Sequence, residues 1–365
     1  MTGLRGLRRV TGGVCLFILT GALLATSASG ALTLDLRNGA VGNPAAVEYT
    51  GVGQVIALEL WATVTGGDAV PTNDGLWKFY TSIRSSNGGL AQGNLTQAGS
   101  KSSGWFTGTP FNAGLGAYSG TKADLDGDGD LDIGSNNNAD AASGWIQARA
   151  GVMQASIELN RTAPYNSWGI GKFTFTATGA GPVPHGVTRL YPTPRVGGDT
   201  LWNEDGYIWE GEDAFPPFDP INDWTAGSDR MGTPAVGQYV ILYVHATAVA
   251  PGGGGTVVGE FGQNLVLDAG ASTGSMNTYQ WDLDGDGDWD LTTNNPLTVI
   301  PWADLVGLYG LLPGGDYTAG LRTAWQESPP ITEGTATFPL HLTPEPATMA
   351  LLGIGGLLTL IRRRK

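Results

Sequence analysis

The chain has 365 residues, 58 of them glycine and 12 tryptophan, with only 14% charged residues and a single cysteine. That length suits two ordinary domains plus targeting segments, and 41% apolar residues suffice for a core, which excludes global disorder. Seven of the 19 basic residues crowd the two ends, so the middle sets 12 against all 33 acidic residues, a net of −21 that repels nucleic acid and attracts cations.

Residues 1–30 read as a removable secretory signal: Arg5, Arg8 and Arg9, then an apolar run over 10–24, then small residues offering cleavage after Ala28 or Gly30. Arg8-Arg9 alone does not make a twin-arginine signal, and the general secretory route is expected. Cys15 lies inside the apolar run behind Val14, which is wrong for a lipoprotein site. Its loss with the signal would leave no thiol, excluding disulfides, cysteine catalysis and cysteine–zinc sites.

Strand-like runs follow at 31–37, 54–63, 76–85, 146–159, 172–178 and 239–248. In Val55-Ile-Ala-Leu-Glu-Leu-Trp61 and Phe173-Thr-Phe-Thr-Ala-Thr178 the alternation is that of a strand buried on one face. No amphipathic helix separates these runs, so residues 31–250 are expected to form a β-sandwich. The strand beginning Gly53-Gln-Val-Ile and the later Phe-Thr-Phe-Thr pattern resemble cohesin-type sandwiches. A glycine-rich linker is expected at 251–257 and a second β-sandwich at 258–343, making the chain all-β.

Two segments share one spacing: Asp124, Asp126, Asp128, Asp130 and Asp132 in the first sandwich, and Asp282, Asp284, Asp286, Asp288 and Asp290 in the second. Side chains at positions 1, 3, 5 and 9 of such a loop can converge, position 7 can give its backbone carbonyl, and glycine at position 6 permits the sharp turn. An all-oxygen donor set suits Ca²⁺ rather than zinc or copper. Two carboxylates ~5 Å apart at an effective dielectric of ~20 repel by about 3 kcal/mol, so several converging need a cation or must point apart. Position 12 is Ser135 or Thr293, not the glutamate of an EF-hand. The spacing therefore resembles the calcium hairpins of integrin-type propeller repeats, and a structural Ca²⁺ role or a solvated acidic turn is open at each loop.

The second sandwich carries Asn264-Leu-Val-Leu-Asp-Ala-Gly-Ala-Ser, then Tyr279-Gln-Trp-Asp, then Gly315-Asp-Tyr-Thr-Ala-Gly-Leu321. These resemble a PKD domain, an Ig-like sandwich that usually serves as a spacer or adhesion module. The stretch 302–312 departs from the short loop of that family.

Residues 202–224 form an aromatic and acidic insertion. Trp202, Trp209 and Trp224, with Tyr207, Phe215 and Phe218, accompany Glu204, Asp205, Glu210, Glu212, Asp213, Asp219 and Asp223, with no Lys or Arg. Aromatic faces beside carboxylates could hold a sugar, and a carboxylate pair could serve a glycosidase. A loop packed by its own aromatics is the simpler expectation. Gly270-Ala-Ser272-Thr-Gly274 fits a nucleophile elbow only in letters, since no helix or histidine–aspartate partners follow it. His185, His245 and His341 are scattered and make neither a zinc pair nor a base with its orienter. No enzyme is expected.

At the C-terminus Pro344-Glu345-Pro346 precedes an apolar run over 347–361 and the cluster Arg362, Arg363, Arg364 and Lys365. Fifteen helical residues span about 22 Å, short of the ~30 Å hydrocarbon core, and flanking arginines can snorkel to make up part of the difference. The cluster keeps its end cytoplasmic and leaves the sandwiches outside. Triplet, short transmembrane helix and basic end, over 344–365, closely resemble the bacterial PEP-CTERM sorting signal. That resemblance implies cleavage near the triplet by an exosortase, a membrane-embedded cysteine peptidase, and delivery to the cell surface or extracellular matrix in species that make exopolysaccharide. A permanent minimal tail anchor is the alternative. The expectation for the whole is an exported, calcium-stabilised structural or adhesive protein, with a carbohydrate-binding surface protein as the rival.

Overall fold

The computed structural model describes residues 31–65, 75–86, 89–98, 118–139, 144–155, 167–196, 201–203, 229–231, 233–327, 331–346 and 351. Strand dominates throughout, as the alternating patterns require. The first unit contains β1 (Ala31–Asn38), β2 (Ala46–Glu48), β3 (Val55–Thr65), β4 (Gly75–Ser85), β5 (Ala91–Gln97), β6 (Tyr118–Ser119), β7 (Thr121–Ala123) and β8 (Asp132–Gly134). It continues through β9 (Ile146–Ala155), β10 (Ser167–Ala180), β11 (Thr188–Pro194), β12 (Leu201–Asn203), β13 (Asp229–Met231), β14 (Ala235–Val236) and β15 (Val240–Tyr243).

A five-stranded sheet, ordered β14-β1-β3-β10-β5, faces a sheet whose main path is β13-β12-β4-β11-β15-β2. The cause is legible in β1 and β3, where Leu32, Leu34 and Leu36 alternate inward beside Ile56, Leu58 and Leu60. From the opposite sheet Leu76, Phe79, Ile83, Leu190, Val240 and Leu242 close the same core. On the outer face of β1 and β3, Arg37 pairs with Asp35 at 2.7 Å and lies 4.8 Å from the Trp61 ring, so charge replaces burial there.

Every strand-like run read from the first unit contains a strand. The last shortens to β15, and residues 156–159 of the fourth lie outside the described residues. Of the strands not expected, β5 and β11 are the longest, and the inward residues of β5 are Ala91, Gly93 and Leu95. Its alternation is real, but two of those three carry almost no apolar side chain.

The second unit has its own core. Its strands are β16 (Val257–Gly259), β17 (Leu265–Asp268), β18 (Thr278–Asp282), β19 (Leu291–Thr293), β20 (Leu297–Ile300), β21 (Asp316–Trp325) and β22 (Thr332–Leu342). A sheet ordered β16-β22-β21-β18-β19 packs with the pair β17-β20 around Trp281, Leu265, Leu267, Phe338 and Leu340. The stretch 302–312 contains one short helix, α1 (Trp302–Gly307), which buries Leu305.

Residues 244–250 bind the units together. Thr247 bridges Thr273, the Ala246 amide donates to Thr332 Oγ1 at 2.8 Å, and the Val249 amide donates to Ser272 Oγ at 3.0 Å. Across the same seam the Met276 amide donates to the His185 carbonyl at 2.9 Å and Ser275 Oγ to the Gly186 carbonyl at 2.6 Å. Arg189 pairs with Glu327 at 2.5 Å, its guanidinium 6.0 Å from the Trp325 ring. The glycine-rich segment that follows makes a tight turn, Pro251–Gly254, with Gly252 and Gly253 at positive φ and Pro251 buried.

Two acidic loops as candidate metal centres

The two acidic loops fold alike although 158 residues apart in sequence, Asp124 matching Asp282. In the first, Asp124 accepts the amides of Gly127 at 2.6 Å and Gly129 at 3.1 Å. In the second, Asp282 accepts those of Gly285 at 2.7 Å and Gly287 at 3.0 Å. The ninth residue folds back on the second in both: Asp132 accepts the Leu125 amide at 3.1 Å and Asp290 the Leu283 amide at 2.7 Å. Asp128 and Asp286 likewise accept the amide two residues on, at 3.1 and 2.8 Å. Positive φ is required at both inner glycines, +83° and +95° at Gly127 and Gly129, +79° and +94° at Gly285 and Gly287.

The carboxylates converge in part. Ligand atoms of Asp124, Asp126 and Asp128 lie within 4.8 Å of one another, as do those of Asp282, Asp284 and Asp290. Oxygens sharing one Ca²⁺ at 2.3–2.6 Å can be at most about 5 Å apart, so both trios fit a calcium ion and its donor chemistry. Asp286 is not in the second trio, and the position-7 side chains join neither. Ser135 and Thr293, at position 12, instead accept the amides of Asn137 and Asn295 at 3.0 and 3.1 Å. They cap the next turn, and the loops close at position 9.

The surroundings differ. Asp130 and Asp132 are buried, 3% and 0% exposed, whereas Asp288 and Asp290 are exposed. Asp130 Oδ2 accepts Ser85 Oγ at 2.7 Å and the Gly93 amide at 3.1 Å, which ties the loop to β4 and β5. Asp130 Oδ1 is buried with no hydrogen-bond partner among the described residues. Asp132 Oδ1 accepts the Ser85 amide at 3.1 Å. Burial pushes the Asp130 carboxyl up to about 6 and that of Asp132 to about 7. Burial, then neighbouring Asp128, raises Asp126, on which Arg84 acts in the opposite sense. Burial also raises Asp290, opposed by the bond it accepts from the Leu283 amide and reinforced by the charges of Asp284, Asp282 and Asp286.

The supports Ser85, Gly93, Arg84 and Asn136 escape sequence reading because they come from other strands and turns. Asn136 Nδ2 donates to the Leu125 carbonyl at 2.6 Å and its Oδ1 accepts Arg84 Nη2. Only a strand order brings them to the loop.

Other sequence candidates separate. Trp202 lies in β12, paired with Arg230 and Leu76, while Trp209, Trp224 and the carboxylates of that insertion lie outside the described residues. Ser272 Oγ accepts the Val249 amide in the seam between the units. The histidines have unrelated settings: His185 beside the Gly274 carbonyl at 3.1 Å, His245 beside Thr332 Oγ1 at 3.4 Å, His341 with Asp316 at 2.7 Å.

Pro344, Glu345 and Pro346 leave the end of β22, with Thr343 held by its amide donating to the Gly259 carbonyl at 2.9 Å. Of the expected transmembrane helix at 347–361 only Leu351 is described, and Arg362–Lys365 lie outside the described residues. Among the described residues no helix is long and apolar enough to cross a membrane. A comparison with curated proteins finds no match. Residues 342–365 do match the PEP-CTERM protein-sorting motif, which indicates an exported, envelope-directed protein and implies processing by an exosortase.

Proposed function

We propose that this chain is a structural or adhesive protein of the bacterial cell surface or extracellular matrix, held at the membrane by its C-terminal segment until a peptidase cuts near Pro344-Glu345-Pro346. The observation that carries this reading is the sorting-motif match over 342–365. In it the second unit is a PKD-like spacer, the first a cohesin-like sandwich, and Ca²⁺ bound at Asp124–Asp128 and at Asp282, Asp284 and Asp290 stiffens both. The repeated loop scaffold and its oxygen donors support the calcium part. The ion would neutralise the trios, and the chain would supply the rest: carboxylates fixed by loop amides.

Mass spectrometry of the C-terminus of protein recovered from the envelope tests the sorting reading. A chain ending near Pro344 is expected, with Glu345→Ala blocking the cut and retaining the tail. An intact chain with both ends unprocessed, dissolved in the cytosol, would overturn it.

A further inference from the structure

The second unit has two unlike poles. β21 and β22 run antiparallel, with Trp325 opposite Thr332 beside the first unit and Asp316 opposite His341 at the far end. The chain leaves the fold at that far end. Leu342 is fully buried; its amide donates to the Gly315 carbonyl at 3.0 Å and its carbonyl accepts the Gly314 amide at 2.8 Å. Thr343 is pinned next, its amide on the Gly259 carbonyl at 2.9 Å and its Oγ1 accepting the Phe261 amide at 2.7 Å. Pro344 lies close against Gly314, where a Cβ would come within 3.4 Å of it. Four steps then separate Thr343 from Ala347, where the apolar run starts. Fully extended, they span about 14 Å at most.

Exposed apolar residues lie beside this exit. Leu308 and Leu312 are 71% and 68% exposed, in the loop that joins α1 to β21. The loop is fixed, for the Leu312 amide donates to Tyr317 Oη at 2.6 Å and the Gly315 amide to the Leu312 carbonyl at 2.9 Å. Phe261, 36% exposed and tied to Thr343, packs edge-on against Trp302 of α1, centroids 5.2 Å apart. A lone exposed leucine is ordinary. Leu312, bonded to the Gly315 that pairs with Leu342, and an aromatic pair tied to Thr343 stand where a pinned chain begins an apolar run, with Leu308 four residues earlier in the same loop, and together they are a site.

We propose that this pole seats the second unit on the lipid bilayer, with Leu308, Leu312, Phe261 and Trp302 resting in the headgroup region. The inference rests on the reading that 347–361 enters the membrane. The short tether then leaves the pole no room to stand away from the bilayer, and seating holds Pro344-Glu345-Pro346 at the depth of a membrane-embedded peptidase. The fixed charges at the pole are acidic: Glu260, Asp304, Asp316 and Glu345, with His341 engaged by Asp316. The surface it fits is therefore zwitterionic lipid, gripped by apolar insertion rather than by charge.

The test uses the full chain with Cys15→Ser and one new cysteine at a time, Leu308→Cys, Leu312→Cys, Val266→Cys or Leu351→Cys, each carrying an environment-sensitive fluorophore. Val266 is the control, 52% exposed on the outer face of the β17-β20 pair. In phosphatidylcholine vesicles containing spin-labelled lipid, quenching at positions 308 and 312 should exceed that at 266 by about threefold and persist in high salt. Quenching at 351 together with 308 and 312 no higher than 266 would overturn the seating proposal alone. An unquenched label at 351 would instead sink the membrane reading, and the proposal with it.

Discussion

The two acidic loops carry one motif in two settings. Their glycines and amide–carboxylate bonds reproduce each other almost bond for bond, so the local fold follows from the residues of the loop itself. What differs is burial. The first loop runs into β8 and drives Asp130 and Asp132 between β4 and β5, while the second hangs from β18 and buries only Asp282 among its five aspartates. The motif sets the shape of the cradle; the sheet behind it sets how costly charge is there.

The largest expected consequence lies at position 9. At pH 4 and without calcium, where the folded Asp132 carries no charge to be desolvated, Asp132→Ala leaves the Ser85 amide without its acceptor in a buried setting and the Leu125 amide in a half-buried one, and each orphaned buried donor costs about 1–3 kcal/mol. A loss of about 3 kcal/mol in the first unit is expected, against about 1 kcal/mol in the second for Asp290→Ala, where the Leu283 amide alone loses its partner, an exposed carboxylate, in a half-buried bond. Urea unfolding of the full chain followed by hydrogen exchange, which reports each unit by its own amides, measures both. Equal losses would mean that the surroundings of the loops make no energetic difference.

The pH response should sharpen the contrast. Asp130 and Asp132 take up protons in the folded state near 6 and 7, well above the ordinary 3.8. Between pH 4 and 7 the folded chain therefore binds more protons than the unfolded one, and stability falls as pH rises through that window. Below pH 4 both states are protonated, and this contribution is fully present. In calcium-free buffer the melting temperature of the first unit should fall by several degrees from pH 4 to 7. Saturating calcium, by neutralising the cluster, should flatten that fall. The second unit, with its exposed loop, should respond less in the same scan. A first unit whose melting temperature rises from pH 4 to 7 without calcium would break the assignment of burial as the dominant cause.

Much of this was open to a reader of the sequence, for a physical reason. The strands β1, β3 and β10 announce themselves because leucine, isoleucine and phenylalanine alternate with polar residues. The aspartate spacing does the same for the loops, and Pro344-Glu345-Pro346 with its apolar and basic tail for the sorting signal. β5 was hidden because glycine and alanine carry its inward face. The contrast between the loops was hidden because it depends on Ser85 and Gly93, brought to Asp130 by a strand order that no local pattern encodes. The membrane-facing pole was equally invisible, since Phe261 and Leu312 meet Thr343 and Leu342 only after β22 has taken its place.

The smallest effect belongs to calcium at the second loop. Asp284, Asp286, Asp288 and Asp290 are exposed there, and the loop amides are already bonded to its carboxylates without an ion. Binding would therefore fix a loop that is largely formed, adding stability only as RT ln(1 + [Ca²⁺]/Kd), about 0.4 kcal/mol when the ion is present at its Kd. Amide exchange at Gly285, Asp286, Gly287 and Asp288 should slow on adding millimolar Ca²⁺, while the amides of β21 and β22 hardly change. Asp284→Asn removes one charge from the trio and should abolish that slowing without lowering the melting temperature in calcium-free buffer. If these four amides exchange at the same rate with and without calcium while those of Gly127 and Gly129 slow, the two loops share a shape but only the buried one is a metal site.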